Sequence, residues 1–178
     1  MPVQIGGKTH SFSEPTGLLS DCHRRIEMFL GSLVQVAPLL EKPLDAEARS
    51  AMETALRYFR EAAPKHTADE EDSLFPRLRR MHNPEVEAAL ETLDPLERDH
   101  RRADSLHAQV DRLGRNCLAA GSLSSEDARQ FARAVTELAS IYKEHIRIED
   151  ELVFPVAGKV LSSSEKAAIA AEMAARRR

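Results

Sequence analysis

Four histidines and two glutamates attract attention because they fall where apolar side chains should be. His66 and Glu70 stand one helical turn apart, as do His145 and Glu149, and Phe75-Pro76 and Phe154-Pro155 follow the two pairs at the same distance. A single histidine precedes each pair, in His23-Arg-Arg-Ile-Glu27 and His100-Arg-Arg-Ala-Asp104. The chain thus repeats itself, with one His and then H-x-x-x-E-x-x-x-x-F-P, twice in the same order. Residues i and i+4 share a helix face, so each Glu points into the same space as its His. A carboxylate buried without a partner costs several kcal/mol, and a cation beside it removes that penalty. Imidazole and carboxylate together suit iron, manganese or zinc, and two histidines with one carboxylate per half is the set associated with non-heme iron that keeps coordination positions open. The candidate ligands are His23, His66, Glu70, His100, His145 and Glu149.

A lone buried His is more often a satisfied core residue, and a lone H-x-x-x-E more often a solvated ion pair. Two copies with matched distances to Phe-Pro, each with an upstream His, are not what chance readily yields. Other metal motifs fit worse. H-E-x-x-H is absent, and ferritin-like sites need E-x-x-H on two helices, whereas only Glu97-Arg-Asp-His100 occurs.

The elements that must position these residues read as helices. Thr16 to about Leu40 predicts the first, and Asp45 caps a second from Ala46 to about Arg80. Asn83-Pro84 starts a short extra helix to about Leu93, and Asp94-Pro95-Leu96-Glu97 reads as N-cap, first-turn Pro and capping acid of the third main helix. Gly121-Ser122 is a loop, Ser124 to Asp127 opens the fourth, and Ser162 to Glu165 opens a C-terminal helix over about 163–178. Each main helix carries one apolar stripe, for instance Phe131, Val135, Leu138, Tyr142, His145, Glu149 in the fourth. The expected fold is an all-α, antiparallel up-down-up-down four-helix bundle over about 16–159, within one domain of 1–178. In antiparallel hairpins of near-equal arms the histidines reach the same height.

Composition agrees: 178 residues, 42% hydrophobic, 4% aromatic and no Trp, few of the residues that strands favour. A net charge of -4 provides no broad basic field, so neither nucleic acid nor an anionic membrane is an expected partner, although Arg176, Arg177 and Arg178 form a small basic tail. Met1 to Phe12 lacks a signal-peptide pattern and no apolar run approaches a membrane span of ~20 residues, which points to the cytoplasm. Cys22 and Cys117 read as small buried hydrophobes.

The series of single His, H-x-x-x-E, single His, H-x-x-x-E-D-E-x-x-F-P resembles the hemerythrin-like family, the HHE cation-binding domain, over about Thr16 to Lys159. The resemblance implies that the six candidates ligate two iron ions, oxo- or hydroxo-bridged, with Glu70 and Glu149 bridging. Family members include oxygen carriers, oxygen or iron sensors, and proteins of the nitric oxide response implicated in repair of iron centres. The carriers have a fifth histidine one turn after the helix-three His, where this chain has Asp104. Its four-His, two-Glu set is more similar to the nitric-oxide-response and iron-handling members. The expected function is a non-heme di-iron protein that binds or senses dioxygen or nitric oxide, or handles iron. A di-iron enzyme acting on peroxide or nitric oxide, and a structural bundle holding zinc, are the alternatives. Asp104 and Glu27 read as extra ligands, acceptors for a ligand's N–H, or surface partners of arginines; His107 and Tyr142 as pocket-lining or core residues.

Overall fold

A computed structural model describes His10, Ser11 and residues 13–178. The signal-peptide reading of Met1 to Phe12 therefore falls almost wholly outside the described residues. These residues form helices and turns and no strand. In chain order the helices are α1 (Pro15–Val36), α2 (Ala46–Glu61), α3 (Ala63–Ala68), α4 (Phe75–Arg79), α5 (Glu87–Ala120), α6 (Ser125–Ile148), α7 (Phe154–Val160) and α8 (Ser163–Ala175). No helix among them is long and apolar enough to cross a membrane.

Three expected caps are present. Asp45 accepts from the Ala48 N–H at 2.8 Å, Ser124 Oγ from the Asp127 N–H at 3.1 Å, and Ser162 with Glu165 forms a complete capping box on α8. Each satisfies a donor that a helix start leaves orphaned.

The second expected helix is not continuous. Pro64 has no N–H to give the carbonyl of Arg60 and its ring crowds that carbonyl, so the helix breaks at Ala62 between α2 and α3. After α3 comes a wide π-helical turn, Asp69–Leu74, and then α4; the same sequence recurs as α6, a π turn at Glu149–Val153, and α7. Phe75 N–H bonds the Glu70 carbonyl and Phe154 N–H the Glu149 carbonyl, five residues back in each case. Phe75 and Phe154 open the α segments that follow the π turns, and Pro76 and Pro155 stand in their first turns, where a residue without an N–H is tolerated.

The expected start of the third helix at Asp94-Pro95 is also corrected. Pro84–Val86 is a 3-10 turn capped by Asn83, and it leads into α5, which runs through Pro95 without a break. Val86, Ala89, Leu93, Leu96, His100 and Ala103 are all buried, so one helical stripe crosses the proline. Asp94 and Glu97, read as capping acids, both accept from Arg79 at 2.7 Å.

The chain divides into two compact units of interleaved segments: Met1–Arg25, Lys65–Arg98 and His145–Arg178 in one, Ile26–Pro64 and Asp99–Glu144 in the other. The first is built on a core that includes Leu19, Leu74, Phe75, Leu93, Phe154 and Met173. Burying each such side chain stabilises the fold by about 1.5–3 kcal/mol. The second buries Ile26, Leu33, Met52, Leu113, Phe131 and Leu138. Within it α2 and α5 approach closely at Gly114, where an added Cβ would lie 2.6 Å from Leu56 Cδ1.

Candidate metal centre

Each histidine of an i,i+4 pair turns its Nε2 toward its own glutamate: His66 lies 3.0 Å from Glu70 Oε1 and His145 lies 3.2 Å from Glu149 Oε2. Helical spacing alone accounts for this. His23, on α1, brings its Nε2 to 3.1 Å from Glu149 Oε2 and 3.8 Å from Glu70 Oε1. Its ring meets the His66 ring edge-on, with centroids 4.9 Å apart, and stacks on Phe154 at 5.2 Å. Phe154, of the second Phe-Pro pair, thus walls the site. His23, Glu70 and Glu149 are fully buried, and His66, His100 and His145 nearly so.

One ligand atom from each of His23, His66, Glu70 and Glu149 lies within 4.8 Å of the others. The same holds for Glu70, His100, His145 and Glu149, His100 being carried on α5 just past Arg98. All six expected residues fall in these two sets, and Glu70 and Glu149 belong to both. Asp104 and Glu27 are exposed and belong to neither.

Whether a cation suits these residues is decided by His23. Its Nδ1 lies 2.9 Å from Asp150 Oδ1, an acceptor that also takes the Ser20 hydroxyl at 2.8 Å and whose carboxylate binds Arg24. A carboxylate accepts, so in the neutral ring Nδ1 carries the proton and Nε2 presents a bare lone pair. That lone pair faces the oxygens of Glu70 and Glu149, and neither His23 Nε2 nor either Glu149 oxygen has hydrogen-bond geometry to any partner. Lone pairs aimed at one another in a dry core repel, and a cation among them turns that repulsion into ligation. The residues fit a metal.

The ionisation equilibria carry the same strain. Burial would raise Glu149, and the charge of Glu70 raises it further, but His145 and His23 outweigh both and hold its carboxyl below the usual range. Burial would lower His66, yet Glu70 and Cys22 lift it to about 10. His23 is likewise opposed by burial and raised well above the ordinary imidazole value by Asp150, Glu149 and Glu70. Without metal, the surrounding carboxylates favour protons on these imidazoles.

A model of the family described as the hemerythrin HHE cation binding domain matches residues 14–157. The chain belongs to that family. The hemerythrin match spans every residue of both sets, so family membership and the buried His/Glu clusters concur on a metal-binding site. The chain is also 29% identical over 169 residues, 94% of its length and 92% of the other's, to an uncharacterized protein of Haemophilus influenzae.

Several residues around this hemerythrin site escaped the spacing argument. Asp150 was legible only as part of the motif, and Ser20 and Asp69 gave no signal. Cys22 is buried as expected, but it is not merely apolar: Arg25 Nη2 donates to its Sγ at 3.2 Å. Burial raises the Cys22 thiol, while His66 and Arg25 bring it down to about 7. His107 and Tyr142 are hydrogen-bonded to each other at 2.9 Å, and Phe59 stacks on the His107 ring with centroids 4.4 Å apart. His107 with Leu56, Phe59, Arg60, Asp104 and Asp111 lines a cavity of about 210 Å³ in the second unit. His10 bonds Asp21 through its backbone and ring, and His82 is exposed.

Proposed function

We propose that this protein is a non-heme di-iron protein in which His23, His66, Glu70, His100, His145 and Glu149 ligate two ions, and that it binds or senses dioxygen or nitric oxide, or handles iron. The observation that carries the reading is that Glu70 and Glu149 belong to both ligand sets, whereas each histidine belongs to one. A carboxylate has two oxygens, so a shared Glu is suited to bridging two ions. Two imidazoles and two carboxylate oxygens per ion leave coordination positions for a bridging oxygen and an exogenous diatomic.

When bound, the iron pair would supply redox change and an open position for a small ligand. The chain's own residues do the rest. Asp150 holds His23 with Nδ1 protonated and Nε2 directed inward. Phe154, buried and stacked on His23, helps exclude water from the site. Asp104 is exposed where the oxygen carriers have a ligand, which favours nitric oxide or iron handling over reversible oxygen carriage. A cytoplasmic setting with no nucleic-acid or membrane partner belongs to the same reading, and it treats 1–178 as a single functional domain.

Metal content and the visible spectrum of aerobically purified protein test it. Two irons per chain with near-ultraviolet oxo-bridge bands are expected. A colourless protein with one zinc would replace it with a structural zinc bundle, and turnover of peroxide or nitric oxide with a reductant would make the protein an enzyme.

A further inference from the structure

Asp69 is the residue before Glu70, it opens the first π turn, and its carboxylate is fully buried. Its counterpart in the second half of the repeat is Ile148, which packs against the apolar core of its unit. Where one copy has an apolar side chain, the other buries a charge, at a cost of several kcal/mol unless it is paired. The pairing comes from the end of α8, an element outside the repeat. Arg176 Nη1 donates to Asp69 Oδ1 at 2.9 Å and Arg177 Nη2 to Asp69 Oδ2 at 2.5 Å. The second Nη of Arg176 reaches Ser73 Oγ, near the far end of the same turn, at 2.8 Å.

α8 itself is anchored. Ile169 and Met173 are buried in the core shared with Leu74 and Phe75, and Arg77 forks onto Glu172 at 2.8 and 3.0 Å while donating to the Ser73 carbonyl at 2.7 Å. The arginine pair therefore bridges both ends of the π turn to a fixed helix. A π turn holds one residue more than an α turn and lacks its regular ladder, so external contacts decide how its side chains are aimed. The other π turn is held differently: Asp150, just after Glu149, is tied to Ser20, His23 and Arg24 of α1.

We infer that Arg176 and Arg177 are positioning residues for Glu70, clasping the π turn through Asp69 and Ser73 so that the Glu70 carboxylate stays aimed at the metal. The inference rests on the metal-site reading above. With the clasp removed, Asp69 keeps its burial but loses its cations, the turn is driven to rearrange, and metal is released faster.

The test uses the full chain loaded anaerobically with Fe²⁺, measuring its release to excess chelator, and amide exchange of the metal-free protein. The variants are Arg176→Ala/Arg177→Ala, Arg176→Lys/Arg177→Lys and Asp69→Asn, with Lys159→Ala, which breaks only a surface pair with Glu85, as control. The double alanine and Asp69→Asn variants should release iron roughly ten- to a hundredfold faster, as loss of outer hydrogen-bond partners typically does. Amides 69–75 should exchange faster while the circular dichroism is unchanged. The lysine pair should fall between, since it keeps charge but loses the planar fork. Wild-type release and exchange in every variant would overturn the inference. If the double alanine variant does not fold, Asp69→Asn decides by the same two readouts. If wild type binds no iron, the metal-site reading has failed, and exchange at 69–75 alone decides the clasp.

Discussion

The Nδ1 of His23 lies 2.9 Å from Asp150 Oδ1, and the two residues stand 127 apart in the chain. That contact fixes which nitrogen of His23 faces the carboxylates. Burial would raise the Asp150 carboxyl, but the bond to His23 together with Ser20 and Arg24 holds it below the ordinary range, so it remains an acceptor near neutrality. Asp150→Ala should free the ring to take the other tautomer and weaken metal retention by about ten- to a hundredfold. Asp150→Asn, whose carbonyl can still accept, should lose less. Metal content after dialysis against a weak chelator distinguishes the two, and equal retention by wild type and Asp150→Ala would count against the orienting role.

Pro95 lies inside α5 and is exposed, so the carbonyl of Glu91 lacks a helical donor. An interior Pro costs ~3 kcal/mol relative to Ala, less about 0.4–1 kcal/mol that Pro returns by stiffening the unfolded chain. Pro95→Ala should therefore raise stability by about 2 kcal/mol, read from denaturant unfolding, with metal content unchanged. A destabilised variant would mean that α5 depends on the proline.

The six candidate ligands were legible because their spacing repeats; burial and proximity then follow from helix geometry. Asp45, Ser124 and Ser162 were legible because capping is local chemistry. Asp94-Pro95 carried the same local signal and misled, since the buried stripe from Val86 through Leu96 to Ala103 outweighs one lost ladder bond. The π turns had only an indirect trace, a Pro at 76 and 155 that needs a place without an N–H. The contacts of Asp150 with His23 and of Asp69 with Arg177 join residues far apart, and no periodicity reports them.

The pH dependence of the metal-free protein should run opposite to that of metal binding. His66, which burial opposes but Glu70 and Cys22 lift to about 10, and His23, raised well above its ordinary value, both hold a proton to higher pH in the metal-free fold than in the unfolded chain. Their stabilisation is complete below the unfolded value of ~6.5 and is lost as pH rises through the folded values. Ligation needs unprotonated imidazole, so metal affinity rises over that same window, and loading near neutrality should release protons. His107 acts at the other side: burial lowers it to about 4, so the stability it contributes as a neutral ring is lost as pH falls from ~6.5 toward that value. Melting temperatures with chelator present, and binding heats in buffers of different ionisation enthalpy, check this. A metal-free melting temperature that is flat from neutrality to pH ~10 would contradict the raised imidazoles.

Glu70→Ala separates a shared ligand from a terminal one, because Glu70 is in both ligand sets and His23 in only one. Removing the shared carboxylate should cost both ions affinity. His23→Ala should weaken chiefly the ion of its own set, and His82→Ala, at an exposed position outside both, should change neither. Helical content should survive in all three, since the apolar stripes remain and a chain of 178 residues buries enough surface without metal. Glu70→Ala has a second signature in the metal-free protein. It removes the carboxylate 3.0 Å from His66 Nε2, which is the main cause of that imidazole's upward shift, and so should flatten the loss of stability between neutrality and pH ~10. It also removes a like charge that raises Glu149, so the cost of losing the His66 pair is partly offset. Iron per chain, circular dichroism and the pH profile of unfolding together decide it: a Glu70→Ala protein that keeps two irons, or a His82→Ala protein that loses them, would mean that the ions sit elsewhere.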